Sequence, residues 1–227
     1  MKVFVIGATG GVGRRLVREL VHRGDDVGGL HRRPEQATDL RDMGADSFNA
    51  DLAAMAEDDL ASMIAGTDVL VFSAGAGGGS TEMTTSIDGQ GVSKAIAAAQ
   101  AAGVRRFILV SVFPEAWRER PRSEGFEHYL AVKKQADVEL AASELDWVIL
   151  RPAELADGVG SGTVSLSQAL IHTTVSRDNV AATLAELVHR PELSRVVLEL
   201  SDGPSRIPEA IQALDGQRRG SIQEKPA

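Results

Sequence analysis

The chain has 227 residues, a formal net charge of −8, 4% aromatic residues and no cysteine. The lack of cysteine excludes disulfides, thiolate nucleophiles and zinc–thiolate sites. An acidic chain with few aromatic residues disfavours binding to nucleic acid or to anionic membranes. With no signal-like or membrane-spanning apolar stretch, we expect a soluble cytoplasmic protein, a monomer or homodimer, without a metal site.

Short β-branched runs alternate with longer amphipathic segments, a pattern that predicts βαβ units and a parallel sheet. Over the first half, the pattern predicts strands at Lys2–Ile6, Asp26–Leu30, Ser47–Ala50 and Val69–Ser73. Helices are predicted between them at Gly11–Arg23, Pro34–Met43 and Asp58–Ile64. The segment Ala74–Thr85 is rich in Gly, Ser and Thr and predicts a loop.

The second half continues the alternation. It predicts strands at Arg106–Val110, Trp147–Leu150, Thr163–Leu166 and Val196–Leu200, and helices at Ile87–Ala102, Phe126–Ser143, Asn179–His189 and Pro208–Leu214. We expect an α/β fold with a doubly wound parallel sheet in three α/β/α layers, the Rossmann architecture. One domain covers residues 1–215, of which about 153–215 form a small C-terminal cap on the substrate side. Residues 216–227 are expected to be a flexible tail.

A glycine-rich turn joins the first strand to the first helix, with glycines at 7, 10, 11 and 13. In this position, glycines permit a tight turn and a close approach of the backbone to a pyrophosphate, which the helix N-terminus attracts. The turn therefore predicts a dinucleotide site, with contacts from Gly7, Thr9, Gly10, Gly11, Val12 and Gly13.

The end of the second predicted strand indicates which dinucleotide binds. An NAD enzyme carries a carboxylate there for the ribose 2′-hydroxyl, but this chain has Arg32 and Arg33. Arginine suits a 2′-phosphate, so we predict NADP (NADPH), with Arg14 as a further candidate ligand. The alternative is that these arginines are solvated surface residues.

Tyr129 and Lys133 form a YxxxK pair within a predicted helix, and Tyr129 is the only tyrosine of the chain. Residues four apart lie on one helix face, and a neighbouring ammonium is expected to lower the pKa of the phenol. Tyr129 could then exchange a proton with a carbonyl oxygen. Lys134 leaves the register of the pair open.

The spacing GxxGxxG and the opening VFVIGATGGVGRRLV resemble the short-chain dehydrogenase/reductase (SDR) superfamily. The closest likeness is to its small, atypical NAD(P)-binding members of the epimerase/reductase type, related to NmrA-like and flavin/biliverdin reductase proteins. Further landmarks are Asp51-Leu52, Ser73-Ala74-Gly75, the run from Arg106 to Ser111, Tyr129 to Lys133, Leu150-Arg151-Pro152 and Ser176-Arg177-Asp178.

The resemblance implies roles for several of these residues. It places Asp51 and Leu52 beside the adenine, and Ser73, Ala74 and Gly75 along the adenine ribose. The catalytic set that it implies is Ser111, which would polarise a substrate carbonyl, Tyr129, Lys133 (also a cofactor contact) and Asp88, which would hold a water of the proton relay. Other interpretations stay open: Asp51 and Asp88 as helix caps, Ser111 as a strand-end serine, and Arg177 as a contact to substrate or only to an acidic partner.

These features predict an NADP(H)-dependent oxidoreductase that transfers hydride between nicotinamide and a small carbonyl compound, or a quinone or flavin, with Tyr129 as proton donor or acceptor. Two alternatives keep the cofactor. One is an NAD(P)-dependent epimerase or dehydratase, and the other is a non-catalytic, NADP-sensing regulator of the NmrA type.

Overall fold

A nine-stranded sheet runs through the described residues, 1–118 and 121–214, of a computed structural model. The predicted tail, 216–227, and residue 215 lie outside those residues. The strand order is β3-β2-β1-β4-β5-β6-β10-β8-β11. Neighbouring strands from β3 to β10 are parallel, and β8 runs antiparallel to both β10 and β11. The first six positions have the order of a doubly wound dinucleotide-binding fold, as predicted.

The strands of this sheet are Lys2–Ile6 (β1), Asp26–His31 (β2), Asp46–Asn49 (β3), Val69–Phe72 (β4), Arg106–Val110 (β5), Asp146–Pro152 (β6), Thr163–Ser167 (β8), Val196–Asp202 (β10) and Ser205–Arg206 (β11). The helices are Gly13–His22 (α1), Gln36–Asp42 (α2), Glu57–Ile64 (α3), Thr81–Thr84 (α4), Gly91–Ala101 (α5), Glu124–Ala142 (α6) and Arg177–Val188 (α7). Residues 207–214 are also helical. Among the described helices, none is long and apolar enough to span a bilayer.

Each face of the sheet carries its own hydrophobic layer, because alternate residues of a strand point to opposite faces. On β1, Val3 and Val5 pack in the cluster that includes α1 and α7, whereas Phe4 and Ile6 pack in the one that includes α3, α5 and α6. All four side chains are at most 2% exposed. The helices of both layers hold the sheet so that the carboxyl ends of its parallel strands meet at one edge.

The last third of the chain differs from the cap that the sequence predicts. β8, β10 and β11 extend the main sheet, and only a two-stranded sheet stands apart from it, made of Glu154–Ala156 (β7) and Thr174–Ser176 (β9). These three-residue strands have too few residues to show periodicity in sequence. The two-stranded sheet leads directly into α7, and so holds the start of that helix near the glycine-rich turn.

The predicted loop Ala74–Thr85 ends earlier than expected, because helix begins at Thr81. Ser80 caps it by accepting a hydrogen bond from the Met83 amide at 3.3 Å. The helix then widens into a π-helical segment, Thr85–Gln90, and continues as α5. π-helical turns inside α-helices are rare and occur frequently at functional sites. Asp88, a predicted site residue, lies in this segment.

Candidate functional site

A cleft of about 650 Å³ runs along the carboxyl ends of the parallel strands. This is where open α/β sheets bind ligands, and the volume lies in the range of small-molecule sites. The cleft is lined by every residue that was predicted to bind the cofactor except Gly13 and the further candidate Arg14, and by all four predicted catalytic residues: Asp88, Ser111, Tyr129 and Lys133.

The glycine-rich turn forms one wall of the cleft, and its geometry requires glycine at two places. Gly7 has φ +87°, and a Cβ there would lie 2.5 Å from the backbone nitrogen of Ala74. A Cβ on Gly13 would overlap the carbonyl of Gly7. No side chain caps the N-terminus of α1, so the partial positive charge at that end of the helix is open to a ligand. The turn therefore fits the pyrophosphate of a dinucleotide.

The far end of the cleft carries the two arginines predicted to select NADP. Asn49 holds the backbone there by donating to the Arg32 carbonyl at 3.2 Å, and Gln36 accepts from the Arg33 amide at 3.0 Å. Gln36 also donates to the Thr9 hydroxyl at 3.1 Å, which ties this loop to the glycine-rich turn. Both arginine side chains are exposed and line the cleft.

Arg14, the further candidate ligand, points elsewhere. It lines a separate surface hollow, where its guanidinium lies 3.9 Å from Asp39. Asp51 lines the main cleft, and its carboxylate accepts from the Ala53 amide at 3.0 Å. It does not cap α3, because the N-cap of that helix is Ala56. The helix-cap interpretation of Asp51 is therefore wrong.

Asp88 lines the cleft and is buried at 1% exposure. Its carboxylate accepts from the Ala76 amide at 2.9 Å and lies 3.6 Å from the ammonium of Lys133. A Cβ on Gly75 would come within 3.0 Å of the same carboxylate. Asp88 is not a helix cap, because the helix starts seven residues earlier, at Thr81. It holds the strand-end loop and the lysine together.

Lys133 is the buried member of the two consecutive lysines, and Lys134 is exposed. This settles the register that the sequence left open. The Lys133 ammonium donates to the Val110 carbonyl at 2.8 Å. Burial lowers the pKa of Lys133, while the carboxylates of Asp88 and Asp137 act in the opposite direction.

Tyr129 lies one turn before Lys133 on the same face of α6, and it lines the cleft. Burial raises the pKa of its phenol above the ordinary value, and the negative charges of Asp88 and Asp137 raise it further. This direction is opposite to the lowering predicted from the lysine alone. Burial of the phenol decides the sign, and the two carboxylates act in the same direction.

Asp137, which the sequence analysis missed, occupies the next turn of that face and is 5% exposed. It accepts from Arg151 at 3.0 and 2.9 Å. Burial raises its pKa, and Ser111, Arg151 and Lys133 oppose that effect. Asp137 follows Lys133 by four residues, just as Lys133 follows Tyr129. This spacing could have identified Asp137 as a site residue from the sequence.

Ser111 follows β5 and is buried at the cleft, where its amide donates to the Leu150 carbonyl at 2.8 Å. Within the described part of the chain, its hydroxyl makes no hydrogen bond of normal geometry, although it lies close enough to Asp137 to lower the pKa of that carboxyl. Its catalytic role, which the resemblance implies, stays a prediction.

The start of α7 also reaches the cleft. Arg177 lines it, while Asp178 pairs with Arg15 at 2.6 Å. Ser176 caps this helix by accepting from the Asn179 amide at 3.0 Å, so Asp178 is not its cap. No group of three or more His, Asp or Glu side chains with metal-binding geometry occurs within residues 1–118 and 121–214.

A family model described as NAD(P)H-binding matches residues 7–191. The chain belongs to this family. The match extends from the glycine-rich turn to beyond α7, and so includes all the predicted site residues. It agrees with the resemblance to atypical SDR proteins that the sequence indicates.

Individual relatives are similar over nearly the whole chain. A Bacillus subtilis protein named uncharacterized sugar epimerase YhfK is 36% identical over 94% of this chain and all of its own. A solved structure from Bacillus halodurans, titled putative NAD-dependent epimerase/dehydratase, is 34% identical, with a TM-score of 0.85 over 94% of this chain and 99% of that one. ChuY from Escherichia coli O157:H7, titled an anaerobillin reductase, is 27% identical, with a TM-score of 0.75 over 90% and 100%.

Proposed function

We propose that this protein is an NADP(H)-dependent oxidoreductase that reduces a small carbonyl compound or a related conjugated acceptor, with Tyr129 as the proton donor. The observation that carries the proposal is that Tyr129, Lys133 and Ser111 line the same cleft as the glycine-rich turn. Dinucleotide binding alone would not require a phenol, an ammonium and a buried hydroxyl at the opposite end.

The residues present fit NADP. The turn at Gly7 and the free N-terminus of α1 would hold the pyrophosphate, and Asp51 with Ser73 would flank the adenosine. Arg32 and Arg33 would bind the 2′-phosphate through charge-assisted hydrogen bonds. When bound, the nicotinamide supplies or accepts the hydride.

The chain's own residues supply the proton and orient the acceptor. Burial and the carboxylates of Asp88 and Asp137 raise the pKa of Tyr129, so the phenol holds its proton at neutral pH and would donate it to an oxygen that becomes negative during reduction. Ser111 would donate a hydrogen bond to the same oxygen. Burial lowers the pKa of Lys133, and Asp88 and Asp137 oppose that effect, so these carboxylates favour a cation next to the phenolate that remains.

An aromatic cluster lies beside Tyr129. The ring of Phe126 lies 6.0 Å from that of Tyr129 and 5.1 Å from that of Trp117, and His172 meets Trp117 edge-on at 5.3 Å. Of these four side chains, Tyr129 lines the cleft, so the other rings could contact an acceptor only where it extends past Tyr129. The likeness to ChuY, titled an anaerobillin reductase, supports a reductase, and we include quinones and flavins among the candidate acceptors.

An epimerase or dehydratase is the second candidate, and the observation that favours it is the similarity to YhfK and to the Bacillus halodurans protein, whose names state that chemistry. The two functions differ in whether NADPH is consumed. A reductase consumes NADPH in proportion to product, whereas an epimerase interconverts its substrate with no net loss of NADPH.

The test is Tyr129→Phe, assayed for NADPH oxidation with a panel of aldehydes, ketones, quinones and flavins. Loss of the proton donor is expected to lower turnover by about 10²- to 10⁴-fold, while NADPH affinity stays at the wild-type value because the ring is kept. The control is Lys134→Ala, an exposed neighbour, which should leave both quantities unchanged. Equal turnover in wild type and Tyr129→Phe would show that Tyr129 is not the donor.

A further inference from the structure

Arg177 lies against the glycine-rich turn, although it belongs to the segment on the substrate side. A Cβ added to Gly11 would stand 3.0 Å from both Cδ and Nε of Arg177. The arginine is the first residue of α7 and lines the cleft. Its guanidinium is therefore next to the backbone that would hold the pyrophosphate.

The present partners of Arg177 are weak enough to be exchanged. Its Nη1 lies 3.0 Å from a carboxylate oxygen of Asp157 and donates to the Leu155 carbonyl at 3.4 Å. The Asp157 side chain is 78% exposed, and such pairs contribute at most about 1 kcal/mol. Asp157 also lies 3.7 Å from Arg15, so it keeps a cation when Arg177 moves away.

We propose that Arg177 binds the pyrophosphate of the dinucleotide, exchanging Asp157 for the phosphate oxygens when the cofactor enters. This rests on the cofactor binding proposed above. The guanidinium presents five donors in a planar fork that matches phosphate geometry. The helix N-terminus of α1 then holds the pyrophosphate from one side and Arg177 from the other. When the cofactor is bound, this contact of Arg177 holds the segment from β7 to α7 over the cleft.

The test compares Arg177→Ala, Arg177→Lys and Asp157→Asn, with Arg190→Ala as the control at the other end of α7. NADPH, NADH and ADP are titrated by calorimetry, and thermal unfolding without ligand shows that each variant is folded. Losing a hydrogen bond to a charged group is expected to weaken all three ligands about 10- to 100-fold in Arg177→Ala. Arg177→Lys keeps the charge but loses the planar, forked arrangement of donors. Its affinities for the three ligands should therefore lie between those of wild type and Arg177→Ala.

Asp157→Asn separates phosphate binding from a structural tether. If Asp157 competes with phosphate for Arg177, its removal leaves NADPH binding as tight as in wild type or tighter. Equal weakening in Arg177→Ala and Asp157→Asn would mean that the ion pair only holds β7 to α7, and would overturn the proposal. So would unchanged binding in Arg177→Ala, or weakening for NADPH alone, which would indicate a contact to the 2′-phosphate.

The two proposals fail in different ways. Wild-type protein that binds neither NADPH nor NADH would contradict the proposed function itself, and the role of Arg177 with it. Wild-type protein that binds both, with Arg177→Ala equally tight, would remove only the inference about Arg177. The Arg190→Ala control should match wild type in either case, because its side chain pairs with Glu192 at 3.7 Å on the surface.

Discussion

At the scale of single residues, burial and the charges around Tyr129 determine the protonation state of its phenol. A phenol beside one ammonium would ionise easily, but here the ammonium of Lys133 is shared with the Asp88 carboxylate 3.6 Å away. Burial raises the pKa of Tyr129, and two buried carboxylates raise it further. The phenol therefore holds its proton at neutral pH, so we expect it to act as a proton donor and not as a base.

The chain allows this pKa to be measured directly, because Tyr129 is its only tyrosine. In an alkaline titration followed by tyrosinate absorbance, the wild-type midpoint should lie above the value of about 10 for a free phenol. Asp88→Asn removes a negative charge that disfavours phenolate, so the midpoint should fall. Asp137→Asn should lower it as well, and the exposed Asp146→Asn should not change it. A midpoint that is the same in Asp88→Asn and wild type would refute this account of the site.

Some site residues could be found from the sequence and others could not. The glycine-rich turn and the pair Tyr129–Lys133 are local patterns whose spacing carries their meaning. Arg177 reaches the turn only because β7 pairs with β9, a contact between short segments that leave no periodicity. The direction of the Tyr129 pKa depends on burial and on Asp88, which comes from a different helix. Such long-range contacts follow from packing and not from local sequence.

At the scale of elements, the predicted loop before α5 shows how helix propensity can mislead. Residues 74–80 are rich in glycine and serine, and the sequence suggested that the loop extends to Thr85. The structure starts the helix at Thr81, because Ser80 caps it. The π-helical segment that follows places Asp88 against Ala76 and Lys133. Single-sequence patterns assume 3.6 residues per turn and do not detect a π-helical turn.

A buried charged side chain of β5 joins that strand to the end of α7 and the residues after it. Arg106, in β5, is 5% exposed and donates to the carbonyls of Leu187, Arg190 and Leu193, between α7 and β10. Arg106→Met should lower the free energy of unfolding by about 2–4 kcal/mol, because buried carbonyls lose their donor. Chemical denaturation measures this as a lower midpoint at an unchanged slope.

Arg105, the residue before Arg106, provides the matched control. Arg105 is on the same strand end, but its side chain is 81% exposed and lies 3.7 Å from Asp146. Arg105→Met should change the free energy of unfolding by less than about 0.5 kcal/mol. If the two variants lose the same stability, the hydrogen bonds of Arg106 to the chain between α7 and β10 do not stabilise the fold.

At the scale of the whole molecule, the strand order separates the residues expected to bind the cofactor from those expected to transfer the proton. The alternation of strands and helices was enough to predict the parallel sheet and its doubly wound order. It was not enough to predict that β8, β10 and β11 extend the sheet, because β11 has only two residues and two of their pairings are antiparallel. In the folded protein, β2 and β3 carry the residues expected to bind the adenosine half. β5 and α6 carry those expected to act on the acceptor.

This separation predicts that cofactor choice and proton transfer can be changed independently. Replacing both Arg32 and Arg33 with alanine should weaken NADPH binding about 10-fold or more, since each loses a charge-assisted contact to the 2′-phosphate, and should leave NADH binding unchanged. Arg14→Ala is the matched control, because its side chain lies outside the cleft.

Turnover at saturating NADPH should stay at the wild-type level in the arginine double variant, because the arginines touch neither Tyr129 nor the acceptor. Adding Tyr129→Phe to the double variant should then give the sum of the separate effects on binding and turnover, as expected for distant sites. Two results would count against the assignment of NADP: tighter binding of NADH than of NADPH by the wild type, or an equal loss of both in the double variant. Isothermal titration with both cofactors and steady-state kinetics on the same preparations measure all of these quantities.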